Sequence, residues 1–168
     1  MIELTDWITN KKMKERFLQV AQYDNKDELK MNLESLGKLF SPPFRKVKDC
    51  IIISKESADK LEPYLESVVQ EVYGDKTGYE ASNTETRINC FFENEISEIT
   101  GVKIALIVLE VWAMRLKEMD PESDFCLIMC SDEERVEIRF HKVRSEEDGW
   151  LLDDIETYKD GAVGYVIV

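Results

Sequence analysis

Apolar residues recur along the chain in distinct rhythms, and each rhythm predicts a different element. From Glu95 to Met119 they crowd together as Ile96, Ile99, Val102, Ile104 to Leu109, Val111 to Met114, Leu116 and Met119. A helix apolar nearly all round is a buried one. Lys103, Glu110, Arg115 and Lys117 interrupt it too often for a membrane span, which needs about 20 mostly apolar residues. This stretch is therefore the expected central helix, buried by the rest of the protein.

Upstream the spacing is that of amphipathic helices. Asp6 is placed to cap a first helix through about Val20, with Trp7, Met13, Phe17, Leu18 and Val20 as its apolar set. Asp27 is placed to start a second that carries Leu29, Leu33, Leu36, Leu39 and Phe40. Ser41-Pro42-Pro43 stops it, because proline lacks the donor a helix needs. The two form an expected antiparallel hairpin over residues 1–43, with Lys11, Lys12, Lys14, Lys26, Lys30 and Lys38 on a solvated face.

Phe44 to Val47 begins an extended segment, and Cys50 to Ser54 is a β-branched run of the buried-strand kind. Ser54 or Ser57 then caps a helix to about Tyr73, with Pro63 in its first turns and Gly74 as its stop. Leu61, Tyr64, Leu65, Val68, Val69 and Val72 fit its buried face. Asp75 to Thr84 is polar, contains Gly78 and reads as a mobile loop. Thr86 to Phe92 follows as a strand. Pro121 ends the central helix, since its ring disfavours helical geometry at Asp120.

Beyond it, Phe125 to Cys130 and Arg135 to Val143 form a hairpin around Ser131-Asp132-Glu133-Glu134. In the second strand Val136, Ile138 and Phe140 alternate with Arg135, Glu137, Arg139 and His141, which predicts one buried and one wet face. Trp150 leads into a short helix over Asp153 to Tyr158, and Ala162 to Val168 supplies the last strand. The expected fold is a single α+β domain over residues 1–168. The helical hairpin precedes a body, residues 44–168, in which a mostly antiparallel sheet of about five strands packs on helices.

Charge changes the picture more than composition does. The chain of 168 residues, 43% hydrophobic and 34% charged, is an ordinary globular mix. Its 35 acidic residues outnumber 22 basic ones, for a net charge of −13. Residues 1–84 hold 15 and 13 of them and residues 85–168 hold 20 and 9, so the field belongs to the second half. A field of that sign repels nucleic acid and anionic membrane and attracts basic partners. The competing reading is acidic loops that only keep the protein soluble. The amino terminus has no secretory signal pattern, since Glu3 and Asp6 break it. Cys50, Cys90 and the pair Cys126 and Cys130 sit in apolar runs and read as reduced, which points to a cytoplasmic protein.

Candidate chemistry is sparse. His141 is the one histidine, and it has no cysteine or second histidine at ligand spacing. Gly-x-Ser-x-Gly is absent, as are the Gly-rich phosphate loops. Cys126 and Cys130 share a strand face about 13 Å apart by the strand rise, too far to chelate one zinc ion. The carboxylates Asp153, Asp154, Glu156 and Asp160, and likewise Glu118, Asp120, Glu122 and Asp124, lack calcium-loop spacing and read as solvated charge runs. The expectation is a protein that is not an enzyme, with no catalytic residue, no metal and no cofactor.

The last third carries a resemblance. Val136-Glu137-Ile138-Arg139-Phe140-His141, a short acidic loop, Gly149-Trp150-Leu151, the acidic Asp153-Asp154-Ile155-Glu156-Thr157-Tyr158 and a terminal Ala162-Val163-Gly164-Tyr165-Val166 together resemble the tails of immunity proteins of bacterial polymorphic or contact-dependent growth-inhibition toxin systems. The resemblance covers about residues 125–168 and implies an inhibitor of a cognate toxin, often a small basic nuclease. Carboxylates would meet the cations that otherwise hold nucleic acid, and opposite fields would speed association.

The expected partner-binding set is Asp132, Glu133, Glu134, Glu146, Glu147, Asp148, Asp153, Asp154 and Glu156, with Trp150 and Tyr158 as anchors inside the acidic rim. Charge reversal at Glu146, Glu147 and Asp148 is expected to slow association and leave stability unchanged. The competing reading of Trp150 and Tyr158 is a hydrophobic staple holding the last helix to the sheet. Two other functional classes stay open, a non-enzymatic acidic adaptor for another basic partner and a metal-dependent hydrolase built on the carboxylate clusters.

Overall fold

The structure, a computed structural model, describes residues 2–22, 27–54 and 66–168. Its frame is an antiparallel sheet of five strands in the order β1 (Ile8–Thr9), β7 (Ala162–Ile167), β5 (Phe125–Ser131), β6 (Val136–Lys142), β4 (Thr86–Arg87), with a separate hairpin of β2 (Phe44–Val47) and β3 (Cys50–Ile53). The α+β class and the antiparallel sheet follow the sequence pattern. The β5–β6 hairpin runs in register from Phe125 opposite Lys142 to Ser131 opposite Val136. β7 pairs with the other edge of β5, from Cys126 opposite Ile167 to Ser131 opposite Ala162, so the apolar β5 is central.

Alternation sends Phe125, Leu127 and Met129 of β5, with Val136, Ile138 and Phe140 of β6, to the same face. There they meet the central helix α5 (Glu98–Met119) in one core. Ser97 caps α5 by accepting the Thr100 N–H. Gly101 lets the helix approach β6 closely, since a Cβ there would lie 2.8 Å from Val136 Cγ2. Trp112 donates its indole N–H to the Leu39 carbonyl at 3.0 Å. Its ring stands edge-on to Phe44 and Phe140 at 5.5 and 6.0 Å, so the small hairpin enters the main core. The helix is not buried all round: Ile107 and Met114 are 51% and 58% exposed, because the sheet covers only one side and α1 and α2 only part of the rest.

The amino-terminal region differs from its expected form. Asp6 closes a 3-10 turn, Leu4–Asp6, by accepting the Glu3 N–H. The chain then adds the short edge strand β1 before α1 (Lys11–Gln22) begins. Asn10, 2% exposed, is the residue that starts α1. Its Oδ1 accepts the N–H groups of Met13 and Val163, and its Nδ2 donates to the carbonyls of Tyr158 and Gly161. Asp27 does not cap its own helix. It accepts the N–H and hydroxyl of Ser97 and the hydroxyl of Thr100, bracing the start of α5, and the Thr100 bond first among these holds its carboxyl below the usual range. The second helix is the shorter α2 (Leu33–Phe40), capped by Asn32. α1 and α2 each pack on α5.

Between β3 and β4 the polar run is ordered. A single α-turn, α3 (Glu66–Val68), passes into a π-turn, Val69–Tyr73, and ends at Gly74 with φ 84°. Of its expected apolar face, Val69 is buried while Val68 and Val72 are exposed. Ser57, Leu61, Pro63, Tyr64 and Leu65 lie outside the described residues. The stretch expected as a mobile loop is the helix α4 (Lys76–Asn83), capped by Asp75 through the Gly78 N–H, with Thr77, Gly78, Glu80 and Ala81 buried. Thr86 to Phe92 is a strand only at Thr86–Arg87 and turns into a 3-10 helix, Ile88–Phe91.

The largest departure concerns the second face of β6, expected to be wet. Residues 143–161 fold back across it, with one 3-10 turn, Ile155–Thr157, where a helix to Tyr158 was expected. Beneath, Ile128 and Cys126 are buried, and His141 is only 4% exposed. His141 is therefore not an exposed strand histidine.

Candidate functional site

The expected partner-binding residues separate into two groups, because β6 is seven residues long and puts its ends about 20 Å apart. Asp132, Glu133 and Glu134 form the β5–β6 turn at one end. Glu146, Glu147 and Asp148 follow β6 at the other. Segment 150–158 runs between them across the outer face.

At the turn end, two adjoining clefts of about 450 and 330 Å³ share Ser131, Asp132 and Asp160. Asp132 is committed to the turn itself, accepting the N–H groups of Glu134 and Arg135 and the Arg135 Nε–H. Burial pushes its carboxyl up, and these bonds outweigh that and hold it below its usual value. Glu133 and Glu134 are exposed. The clefts are not an acidic surface: Asp132, Glu133, Glu134, Glu137 and Asp160 share their lining with Lys12, Arg16, Arg135 and Lys159.

The covering segment uses several expected contact residues to hold itself down. Glu156 accepts the Lys11 N–H at the start of α1. Asp154 caps the 3-10 turn through the Glu156 N–H. The Tyr158 hydroxyl accepts the Leu152 N–H. Trp150 lies over the Arg139 guanidinium, 5.5 Å from carbon to ring centroid. The contact found for Trp150 is with a cation and that found for Tyr158 is with a backbone N–H, where the staple reading expected apolar packing of a last helix on the sheet.

Glu147 is likewise structural. It accepts both the N–H and the hydroxyl of Thr77 at 2.8 Å, adding a carboxylate to the amino terminus of α4. It also lies 3.9 Å from Arg144. Reversing its charge would destabilise the protein, contrary to the expectation for the loop as a unit.

Glu146, Asp148 and Asp153 remain exposed. Asp153 lines a cleft of about 190 Å³ whose other walls are Cys126, His141, Val143, Gly149, Trp150, Leu151, Leu152, Tyr165 and Ile167. Here Trp150 is 39% and Leu152 61% exposed, and Val143 and Ile167 are also open. Apolar anchors with carboxylates in the same loop are the arrangement a tight interface needs. Cys126 offers no nucleophile, since burial pushes its thiol up to about 12.

Sequence reasoning missed a buried charge network behind this loop. Glu80, on α4 and fully buried, accepts the N–H groups of Ile51 and Lys142 at 2.6 and 2.8 Å and pairs with Arg144 Nη1 at 2.8 Å. Burial opposes the Arg144 charge, but Glu80 holds the guanidinium protonated above its ordinary value. Lys142 pairs with Asp49 and Asp120 at 2.9 and 2.8 Å. Burial lowers the Lys142 pKa, and these two carboxylates more than reverse it. The network joins the small hairpin, α4, β6 and the end of α5. Among the described residues no group of three or more histidine, cysteine, aspartate or glutamate side chains is arranged to hold a metal ion, and no helix is long and apolar enough to cross a membrane.

Comparison with known proteins places the chain in one family. Residues 8–167 match its model, so the chain belongs to the family described as "Uncharacterized protein PM0498 family". No curated protein and no solved structure matches it significantly.

Proposed function

We propose that this member of the family is a non-enzymatic, cytoplasmic inhibitor of the immunity-protein kind that binds a cognate basic toxin, in the first instance a nuclease domain. The observation that carries the reading is the cleft around Trp150 and Leu152. It is exposed and apolar, with Asp153 in its lining and Glu146 and Asp148 exposed in the adjoining loop. The net charge of −13 would steer a basic partner towards it. The interface is thus drawn towards Glu146, Asp148, Trp150 and Asp153 and away from the charge-balanced turn at Asp132.

The test is co-expression with the product of the adjacent reading frame, followed by tagged purification at low and high salt. A basic partner that is toxic alone, neutralised by this protein and retained at moderate salt is the expected result. Reversal of Glu146, Asp148 and Asp153 together should slow association about tenfold and flatten its salt dependence. Recovery of only ribosomal or histone-like cations that wash off with salt would remove the inhibitor reading.

A further inference from the structure

The cleft beside Trp150 is lined by His141, whose ring makes one hydrogen bond among the described residues. His141 Nδ1 lies 3.0 Å from the Lys142 carbonyl oxygen. That nitrogen must carry the proton, which leaves Nε2 as an acceptor. Among the described residues no donor reaches Nε2, and the ring, 4% exposed, lines the cleft. Burial lowers the imidazole pKa from 6.5, so the ring is neutral near pH 7 and its lone pair stays available.

The other walls set the size and sign of what could meet it. At about 190 Å³ the cleft admits one side chain and not a folded segment. Leu151, Leu152 and Ile167 offer apolar contact, Trp150 a flat ring, and Asp153 the one carboxylate of the lining. Neighbouring cations are already neutralised: Arg139 by Glu85 and Glu137, Arg144 by Glu80, and Lys142 by Asp49 and Asp120.

We infer that this cleft receives one arginine side chain from a partner protein, its guanidinium donating to His141 Nε2 and pairing with Asp153 while its methylenes lie on the apolar wall. Arginine is preferred to lysine because a planar donor fork can serve two acceptors and stack on an indole, which a compact ammonium does not do. The inference rests on the inhibitor reading only for the identity of the partner, and the chemistry of the cleft can be tested without it.

The full chain, labelled with 15N and 13C, is titrated with Nα-acetyl-argininamide, Nα-acetyl-lysinamide and the neutral isostere Nα-acetyl-citrullinamide, following the His141 ring and Trp150 indole signals. Arginine should give saturable shifts at both residues, lysine a weaker effect, and citrulline an affinity about tenfold lower, the loss of a charge-assisted pair. Asp153→Asn, at an exposed position, should weaken arginine binding by about the same factor, and His141→Phe, which removes the acceptor, should weaken the binding read at the Trp150 indole. Equal affinity for citrulline, no saturation, or an Asp153→Asn variant that binds arginine unchanged overturns the inference. A toxic partner that binds this variant and the native protein alike removes the arginine cleft and keeps the inhibitor reading. Saturable arginine binding without any toxic partner does the reverse.

Discussion

The two faces of the sheet are built by different physics. The inner face is apolar and dense: Phe125, Leu127, Met129, Val136, Ile138 and Phe140 meet α5 with almost no water-accessible surface. The outer face carries Glu137, Arg139 and His141 between Cys126, Ile128 and Ile167. It is covered by a segment with little regular structure, held by capping carboxylates, one cation–ring contact and the ion pairs behind it. The inner face is stabilised by area removed from water. On the outer face, polar groups depend on specific partners, so a single deletion there leaves a buried group unsatisfied. That face is also where a ligand acceptor survives, in His141.

The comparison is broken most severely at Glu80. Replacing it with alanine takes the nearest carboxylate from the Arg144 guanidinium, only 4% exposed as a side chain, leaving Asp49 at 3.4 Å and Glu147 at 3.9 Å, and leaves the Ile51 and Lys142 N–H groups without that acceptor. A loss of about 3–5 kcal/mol is expected, read as a lower urea midpoint. The double variant Glu80→Ala, Arg144→Met should recover part of it, because the buried charge that has lost its nearest partner is gone. Additive losses would show that Arg144 contributes through packing alone.

On the inner face the sharpest single change is Gly101→Ala. The added Cβ would sit 2.8 Å from Val136 Cγ2, and a β-branched side chain on a paired strand has no free rotation to yield. Overpacking of this sort costs about 1–3 kcal/mol. An unchanged midpoint would mean that α5 can slide on the sheet, and the view of the inner face as the rigid one would fall.

These two sites also differ in how well the sequence announced them. The inner face was legible, since the period-two alternation at Val136, Ile138 and Phe140 and the density of apolar residues in α5 are direct signatures of burial. The outer face was not. Glu137, Arg139 and His141 have the pattern of a wet face, and only a non-periodic segment brought from residues 143–161 covers them, burying His141 and leaving Glu137 and Arg139 half-buried. The same limit hid α4: its buried set includes Thr77, Gly78 and Glu80, whose burial depends on partners far along the chain, Glu147, Ile51 and Arg144. Among the candidate site residues, type alone could not separate Glu147, which binds Thr77 in the first turn of α4, from Glu146 and Asp148, which are exposed. Asn10 carried a usable signal, as an asparagine before a lysine-rich helix start, but Asp6 competed for the same role.

Acid titration separates the two faces more gently. Burial lowers the His141 pKa from 6.5, so the unfolded chain binds this proton more readily than the folded one. The resulting stability is fully present above about 6.5 and declines as pH falls through the folded value. Asp49 and Asp120 act later. Burial raises Asp49, but Lys142 and Arg144 bring it below 3.8, and the Lys142 hydrogen bond lowers Asp120 likewise. Their contribution is present above about 3.8 and is lost below it. Urea midpoints followed from pH 7.5 downward should therefore fall first near the histidine window, and His141→Gln should remove that first step while leaving the carboxylate step. A first step that persists in the variant would place its origin elsewhere.

The smallest effect is expected at the β5–β6 turn, where Glu133 and Glu134 are exposed and Asp132 alone organises the backbone. Reversing Glu133 and Glu134 to lysine should change stability by no more than about 0.5 kcal/mol, since neither contributes a bond that orders the turn. Its effect on association decides between two views of the acidity. If carboxylates act through a general field, reversal here should slow a basic partner as much as reversal at Asp148 and Asp153, because each pair changes the net charge equally. If recognition is local to the cleft at Trp150, the turn variant should associate at close to the native rate while the other is impaired. Stopped-flow association of both variants at two ionic strengths measures the difference, and equal slowing would assign the acidity to steering alone.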